Sequence, residues 1–210
     1  MTSAELKWYE RAFYAFGKFL AVLLTALVYP LRVQGREHFP KEGSFIVIAN
    51  HISMWEVFFI PRMLLPRRTV FMAKSELFEK NAFVSWVIRT VGAFPVKRGT
   101  ADIGAIKRSL DVIKSGDIFA IFPEGTRNKN LDGSLLKFNN GVGYIALMSG
   151  VPVVPVFFDH MTDRFKPFRP IRIVVGPPVD LAALKTGGRV RSETTEQATA
   201  AVLEALSALM

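Results

Sequence analysis

Five short runs of apolar residues constrain the fold of this chain more than any other feature of its sequence. They occupy residues 44–49, 69–73, 117–122, 151–158 and 171–175. Within these runs the apolar residues follow one another with little of the polar–apolar alternation of a half-exposed strand, which is typical of strands that are buried on both faces of a sheet. The sequence therefore predicts a sheet that is covered on both sides.

Helical segments separate most of these runs. The clearest is 101–115, where four isoleucine and leucine side chains recur at spacings of three and four residues, the period of an amphipathic helix. Residues 81–90, 141–149 and 194–209 also show helical patterns. Strands that alternate with helices predict an α/β fold, with a mainly parallel sheet flanked by helices.

The first 31 residues contain the most apolar stretch of the chain. Residues 19–31 are 13 consecutive uncharged residues between Lys18 and Arg32. As a helix this run would be about 20 Å long, shorter than the ~30 Å hydrocarbon core of a bilayer. On a helical wheel Lys7, Arg11 and Lys18 form a narrow cationic stripe beside a wide apolar face, which is typical of a helix that lies in a membrane interface.

We therefore expect two parts in this chain. Residues 1–33 would form an N-terminal amphipathic, membrane-associating helical segment, and residues 34–210 would form the globular domain. Two alternatives stay open for the N-terminal segment. It could span a membrane, or it could be a core helix of a soluble protein with the cationic stripe in water.

The charge balance indicates an anionic partner. Twenty-seven Lys and Arg residues outweigh 18 Asp and Glu residues and give a formal net charge of +9. Nucleic acid, anionic lipid and a phosphorylated substrate would each suit this charge, but no basic helix or aromatic strand motif supports nucleic acid. The absence of cysteine excludes disulfides and cysteine nucleophiles, and three dispersed histidines give a poor set of metal ligands.

A histidine follows the first predicted strand in the segment NHISMWE, residues 50–56. The carboxyl ends of strands are where α/β sheets place ligand sites. His51 and Glu56 would not meet on one regular helix, but Ser53 and Glu56 have the spacing of a capping box, which would start a helix at this turn. Glu56 could then hold one ring nitrogen of His51 and leave the other as a general base. The alternatives are a structural histidine and a glutamate that serves only as a helix cap.

The segment FPEGTRN, residues 122–128, follows another buried run. Proline and glycine bend the backbone there, while Thr126, Arg127 and Asn128 supply hydrogen-bond donors. An arginine suits a phosphate because its guanidinium can bind two oxygens at once. The alternative is a polar turn in which Arg127 pairs with Glu124.

Two further segments are less specific. GAFPVKRG, residues 92–99, places Lys97 and Arg98 beside a glycine, either to bind an anion or as a solvated basic turn. VPVVPV, residues 151–156, contains two prolines. Because proline cannot donate to a sheet ladder, we interpret this run as a special edge strand or a segment that lines a site. The alternative is plain sheet core, which we expect for most of its side chains.

In this order the four segments resemble the glycerolipid acyltransferase family, and particularly the bacterial 1-acyl-sn-glycerol-3-phosphate acyltransferases. That family is known for the blocks N-H-x4-D, G-x-x-F-x-x-R, F-P-E-G-T-R and V-P-[IV]-[IV]-P-V, which stand here as NHISMWE, GAFPVKR, FPEGTR and VPVVPV. The third block matches in full, and the resemblance runs from about Gly35 to Val179. The chain departs from the pattern at Glu56, where the family has aspartate, and at Asn139 and Asn140, where it often has lysine before the glycine.

The resemblance implies an α/β acyltransferase domain that moves a fatty acyl group from acyl-CoA or acyl carrier protein to the free hydroxyl of lysophosphatidate, giving phosphatidate. It implies His51 as the general base and Glu56 as its partner. The substrate-binding residues would be Glu124, Gly125, Thr126, Arg127, Arg98, Lys97 and Lys74. It implies no metal or cofactor besides the acyl thioester. The enzyme would work on the anionic surface of the cytoplasmic face of the cell membrane, as a peripheral or monotopic protein.

Two other interpretations stay open. The same chemistry could use another lysolipid, glycerol 3-phosphate or an acylated amino-acid lipid as acceptor. A non-catalytic lipid-binding membrane module would keep the phosphate-binding residues, but it would not need a base such as His51 at the end of a strand.

Overall fold

A single mixed sheet of seven strands lies at the centre of the computed structural model, which describes residues 7–79, 81–90, 92–97, 102–130, 134–159, 166–184 and 190–210. The strands are β1 (Leu31–Gln34), β2 (Ile46–Ala49), β3 (Thr69–Lys74), β4 (Ala93–Val96), β5 (Ile118–Ile121), β6 (Val153–Asp159) and β7 (Ile171–Val175). They lie in the order β1-β7-β6-β2-β5-β3-β4, and every neighbouring pair is parallel except β6 and β7. The predicted α/β fold with a mainly parallel sheet is therefore confirmed.

Helices cover both faces of this sheet. They are α1 (Trp8–Val28), α2 (Glu56–Met63), α3 (Glu76–Glu79), α4 (Ala82–Thr90), α5 (Ile103–Lys114), α6 (Gly141–Ser149) and α7 (Ser192–Ser207). Strand β2 shows how the two faces are filled. Ile46 and Ile48 join the apolar cluster beneath α5, α6 and α7, whereas Val47 and Ala49 join the cluster beneath α2. All four side chains are buried, which explains why this strand shows no alternation in the sequence.

The edges of the sheet differ from the sequence predictions. β1 (LRVQ) and β4 (AFPV) are four-residue strands at the two edges of the sheet that were not predicted from the sequence. The apolar–polar alternation of β1 covers only four residues, and β4 contains a proline and directly follows a glycine turn, which is typical of a loop. The predicted boundary at residue 33 falls within β1, which pairs with β7.

The interpretation of the proline-containing run as an edge strand is wrong, since β6 lies between β7 and β2. The alternative, sheet core, is confirmed for most of its side chains, which are buried. Pro155 accepts a hydrogen bond from the Gly176 N–H through its carbonyl. The regular pairing of β6 with β7 begins only at Val156. The missing N–H of Pro155 therefore falls at the end of that ladder, where it costs no regular sheet bond.

Helix α1 lies against the domain with its polar side inward. Thr25 is buried, and the Arg68 guanidinium lies over the Tyr14 ring at 5.3 Å. Arg62 of α2 donates from Nη1 to the carbonyls of Thr25 (3.0 Å) and Tyr29 (2.8 Å). The exposed side chains of α1 are mostly large and apolar, namely Trp8, Tyr9, Phe16, Phe19, Leu20, Leu23, Leu24 and Leu27. A helical wheel separates the two sides of this helix but does not show which side meets the domain.

Helix α1 is longer than the uncharged run of residues 19–31. It has 21 residues, or about 31 Å at the rise of an α-helix, because the helix continues through Lys18 beyond the uncharged run. By length and composition α1 could cross a membrane, and only 6% of its most apolar window is buried in the domain. The short uncharged run therefore does not exclude a membrane span, and this alternative stays open.

Candidate active site

Two of the sequence segments meet at the carboxyl edge of the sheet. His51 follows β2, residues 122–128 follow β5, and β2 and β5 are parallel neighbours. Asn50 fixes the end of β2 to β6, because its Nδ2 donates to the Phe158 carbonyl (3.1 Å) and its Oδ1 accepts the Phe158 N–H (2.8 Å). The end of the strand before His51 is thus held by two buried hydrogen bonds.

The imidazole of His51 faces the carboxylate of Glu56. His51 Nδ1 lies 3.4 Å from Glu56 Oε2, and the side chains of His51 and Glu56 are 12% and 0% exposed. Within the described part of the chain, neither of these two atoms has another hydrogen-bond partner. The electrostatic contact between these two atoms is therefore what offsets the free-energy cost of burying them.

The other oxygen of Glu56 holds the turn together. Glu56 Oε1 accepts the N–H groups of Ile52 (3.0 Å) and Ser53 (2.7 Å), and Ser53 Oγ accepts the Trp55 N–H (2.9 Å). Helix α2 begins at Glu56 itself rather than just after Ser53. The carboxylate is thus both the cap of this turn and the neighbour of the imidazole, so a capping role does not exclude a contact with His51.

Hydrogen bonds from segment 122–128 hold the main chain of His51. Its N–H donates to Glu124 Oε1 (2.9 Å), and its carbonyl accepts the Asn128 N–H (2.6 Å). The ring stacks on Phe122 with centroids 4.1 Å apart. With Nδ1 directed at Glu56, the remaining ring nitrogen, Nε2, is the one available to a substrate hydroxyl.

Glu124 is buried and already occupied. It is 5% exposed, and besides the His51 N–H it accepts the Leu136 N–H through Oε2 (3.1 Å). Burial raises the pKa of its carboxyl. Among the described residues, no ion pair joins Glu124 to Arg127, whose side chain is exposed. The polar turn with a Glu124–Arg127 pair, which was the alternative from the sequence, is therefore wrong.

Gly125 shows why this turn needs a glycine. Its φ is +67°, in the left-handed region, and a Cβ there would lie 2.7 Å from Asn139 Nδ2. That amide donates to the Pro123 carbonyl (3.1 Å). Any side chain at residue 125 would both strain the backbone and displace Asn139.

The predicted cationic residues lie along the same edge of the sheet. His51, Arg127, Lys74 and Lys97 follow or end β2, β5, β3 and β4, which are consecutive in the sheet. Lys74 pairs with Glu76 at 2.8 Å, which lowers the pKa of Glu76 to about 2. Lys97 is exposed, and Arg98 lies outside the described residues.

Comparisons with known proteins agree on one family. A family model described as Acyltransferase matches residues 30–159. The chain is 30% identical over 186 residues to a 1-acyl-sn-glycerol-3-phosphate acyltransferase of Streptococcus pneumoniae, covering 84% of this chain and 66% of that protein. It is 27% identical over 169 residues to a protein of the same name from Bacillus subtilis, covering 78% of this chain and 82% of that one. The chain thus spans just under two thirds of the Streptococcus relative.

A solved structure shares the fold. The crystal structure of the 1-acyl-sn-glycerophosphate (LPA) acyltransferase PlsC from Thermotoga maritima superposes with a TM-score of 0.62 at 27% sequence identity. The match covers 95% of this chain and 79% of that one.

Proposed function

The chain belongs to the acyltransferase family, and from this membership we propose that it is a 1-acylglycerol-3-phosphate O-acyltransferase. It would transfer a fatty acyl group from acyl-CoA or acyl carrier protein to the free hydroxyl of lysophosphatidate, giving phosphatidate. The names of the relatives support the acceptor. The observation that carries the chemistry is the buried approach of His51 Nδ1 to Glu56 Oε2 at 3.4 Å.

The proposed step is a direct transfer. His51 Nε2 takes the proton of the acceptor hydroxyl as its oxygen attacks the thioester carbonyl. The C–O bond forms, the C–S bond breaks, and the proton passes from the imidazolium to the departing thiolate. Glu56 stabilises the imidazolium and fixes its orientation. The acceptor oxygen is itself the nucleophile, so the step uses no acyl-enzyme and draws on no cofactor besides the thioester.

The acceptor phosphate would bind at the carboxyl edge of the sheet, on the side where Arg127, Lys74 and Lys97 lie. Arg127 is the principal ligand because it is exposed on the turn next to His51 and its guanidinium can hold two phosphate oxygens. Lys97 and Lys74 would add charge from β4 and β3, and Thr126 could donate from the same turn as Arg127. Glu124, whose two oxygens hold backbone N–H groups, would position the His51 loop rather than contact the acceptor.

Replacing Arg127 by alanine should raise the acceptor KM about 10- to 100-fold, the effect of losing a charge-assisted pair of hydrogen bonds. The donor KM should change little, and lysine should restore only part of the loss because an ammonium cannot make two parallel bonds. Steady-state kinetics with each substrate varied in turn measures this. Lys114→Ala, the same charge change at the far end of α5, is the control, and an equal effect of Arg127→Ala on both KM values would exclude this role.

The same proposal places the chain on a membrane, at the cytoplasmic face where a soluble thioester is available. Helix α1 supports a flat orientation, since Arg62 and the ring contact between Phe13 and Trp86 (4.6 Å) dock it on α2 and α4. Its outward side is apolar, as a helix needs in order to lie in the boundary between headgroups and acyl chains. Residues 1–30 would then be the membrane-associating segment, with β1 part of the acyltransferase domain.

Purified protein should sediment with vesicles that contain phosphatidylglycerol more than with vesicles of phosphatidylcholine alone. The difference should shrink at high salt, because the net charge of +9 acts through screened electrostatics. The apolar contribution of α1 should persist at high salt. Co-sedimentation across a salt series measures both the electrostatic and the apolar contribution to binding. A protein that remains in the supernatant with every lipid contradicts the membrane proposal.

A further inference from the structure

The ring of Phe122 lies against the face of the His51 imidazole. Their centroids are 4.1 Å apart and their planes differ by 19°, so the two rings are stacked. Phe122 is half-buried against the apolar cluster beneath α2, and only 12% of the His51 side chain is exposed. The proposed base therefore lies against an aromatic surface from which most water is excluded.

Backbone hydrogen bonds keep the two rings in this arrangement. The Phe122 carbonyl accepts the Gly125 N–H (3.0 Å), which closes the turn after β5. Two further bonds join this turn to His51, one from the His51 N–H to Glu124 Oε1 (2.9 Å) and one from the Asn128 N–H to the His51 carbonyl (2.6 Å). The main chains that carry the two rings are thus held together, and the stacking does not depend on side-chain packing alone.

A third ring supports the orientation of Phe122. The Phe71 ring of β3 is parallel to the Phe122 ring within 13°, with the centroids 6.1 Å apart. Phe71 is buried, and β3 is a parallel neighbour of β5, which ends one residue before Phe122. The plane in which Phe122 meets the imidazole is thus set by the sheet as well as by the turn.

The charge of the imidazole changes during the proposed step, which gives the aromatic face a chemical role. His51 is neutral before it takes the acceptor proton and becomes an imidazolium as the C–O bond forms. An aromatic face carries partial negative charge and attracts a cation within about 6 Å of its centroid, most strongly where water is excluded. The face of Phe122 therefore stabilises the imidazolium more than the neutral ring, and a contact that strengthens in the transition state accelerates the reaction.

We propose that Phe122 is a positioning residue for the acyl transfer, whose aromatic face stabilises the imidazolium of His51 and holds its plane. The carboxylate of Glu56 acts at the edge of the imidazole, 3.4 Å from Nδ1, while Phe122 covers one face. Nε2 is then left to the acceptor hydroxyl. This inference rests on the proposed function, because the imidazolium forms only if His51 takes up a proton in the reaction.

Two substitutions distinguish the aromatic face from mere packing. Phe122→Leu keeps an apolar side chain but removes the face, so kcat should fall about 3- to 30-fold, the kinetic equivalent of a partly buried contact between a cation and a ring. Phe122→Tyr keeps the face and should retain kcat within about threefold of the parent. Both KM values should change less than about twofold, because the ring holds neither substrate. If Phe122→Leu is at least as active as Phe122→Tyr, the ring only fills space and the inference is wrong.

Fluorinated phenylalanines at residue 122 separate the charge of the face from the shape of the ring. Fluorine withdraws electrons from the face and changes the size of the ring little. Increasing numbers of ring fluorines, introduced into the full chain by amber suppression, should therefore lower kcat stepwise, about 3- to 30-fold in all. The same series at Phe119 is the control, because Phe119 is buried in β5 but stacks on Phe94 (6.1 Å). There kcat should stay within about twofold of the parent, and the melting temperatures of both series report any loss of folding.

The outcomes of this experiment separate the inference from the proposed function. A stepwise fall in kcat that is confined to residue 122 supports the role of the aromatic face. A flat series at residue 122, or an equal fall at residue 119, overturns that role, while phosphatidate formation by the parent leaves the proposed function standing. A parent protein that acylates no acceptor refutes both.

Discussion

Replacing His51 by alanine should lower kcat about 10²–10⁴-fold, the usual contribution of a general base. The imidazole is the group that can take the proton from the acceptor hydroxyl, and its Nε2 is the ring nitrogen that does not face Glu56. Both KM values should change little, because neither the phosphate nor the thioester is held by this ring. Formation of phosphatidate, followed by mass spectrometry, measures the loss.

His38 provides the matched control for this substitution. Its Nδ1 lies 2.8 Å from the Val175 carbonyl, at the end of β7 away from the active site. His38→Ala should therefore affect stability more than kcat. If His51→Ala keeps a kcat within a few-fold of the parent while folding normally, the proposed mechanism is wrong.

Replacing Glu56 by glutamine should also lower kcat by about 10²–10⁴-fold, because it removes the negative charge beside His51 while the turn is kept. Glutamine can keep its oxygen on the N–H groups of Ile52 and Ser53, so the turn survives. Its amide NH₂ would then face His51 Nδ1 and donate to it. That contact favours the tautomer with the proton on Nε2, which cannot accept a proton from the substrate, and it cannot stabilise an imidazolium.

Glu56→Asp should retain part of the activity, because it keeps the charge although the carboxylate is one methylene shorter. Thermal unfolding of the parent and the two variants separates the capping role from the catalytic one. A Glu56→Gln protein with parental kcat would leave Glu56 as a turn cap alone.

The sequence predicted the strands that lie in the middle of the sheet and the meeting of His51 with Glu56. Central strands are buried on both faces, so β2, β5 and β6 appear as apolar runs. The His51–Glu56 contact is local, within one turn, and a capping pattern is visible over a few residues. The edge strands β1 (LRVQ) and β4 (AFPV) have only four residues each. The alternation of β1 and the apolar residues of β4 are therefore too short to distinguish these strands from loops.

Long-range contacts are the part of the structure that the sequence did not indicate. The resemblance implies that Glu124 binds substrate, and this stays a prediction. Its oxygens also accept the N–H groups of His51 and Leu136, which are 73 and 12 residues away in sequence and which the sequence did not indicate. Likewise, the amphipathic pattern of α1 could not show that Thr25 and Tyr14 face the domain. That orientation depends on Arg62 and Arg68, which come from other parts of the chain. The spacing of residues in one sequence does not show which residues far apart in the chain will come into contact.

The most direct test of the account is product formation by the purified full chain. The chain would be given labelled acyl-CoA or acyl carrier protein with lysophosphatidate, another lysolipid or glycerol 3-phosphate in separate reactions, and the products would be separated and identified by mass. We expect phosphatidate from lysophosphatidate with at least one donor, little product from the other acceptors, and none above background with the His51→Ala protein. Preferential acylation of another acceptor, or phosphatidate formation that persists in the His51→Ala protein, would contradict it.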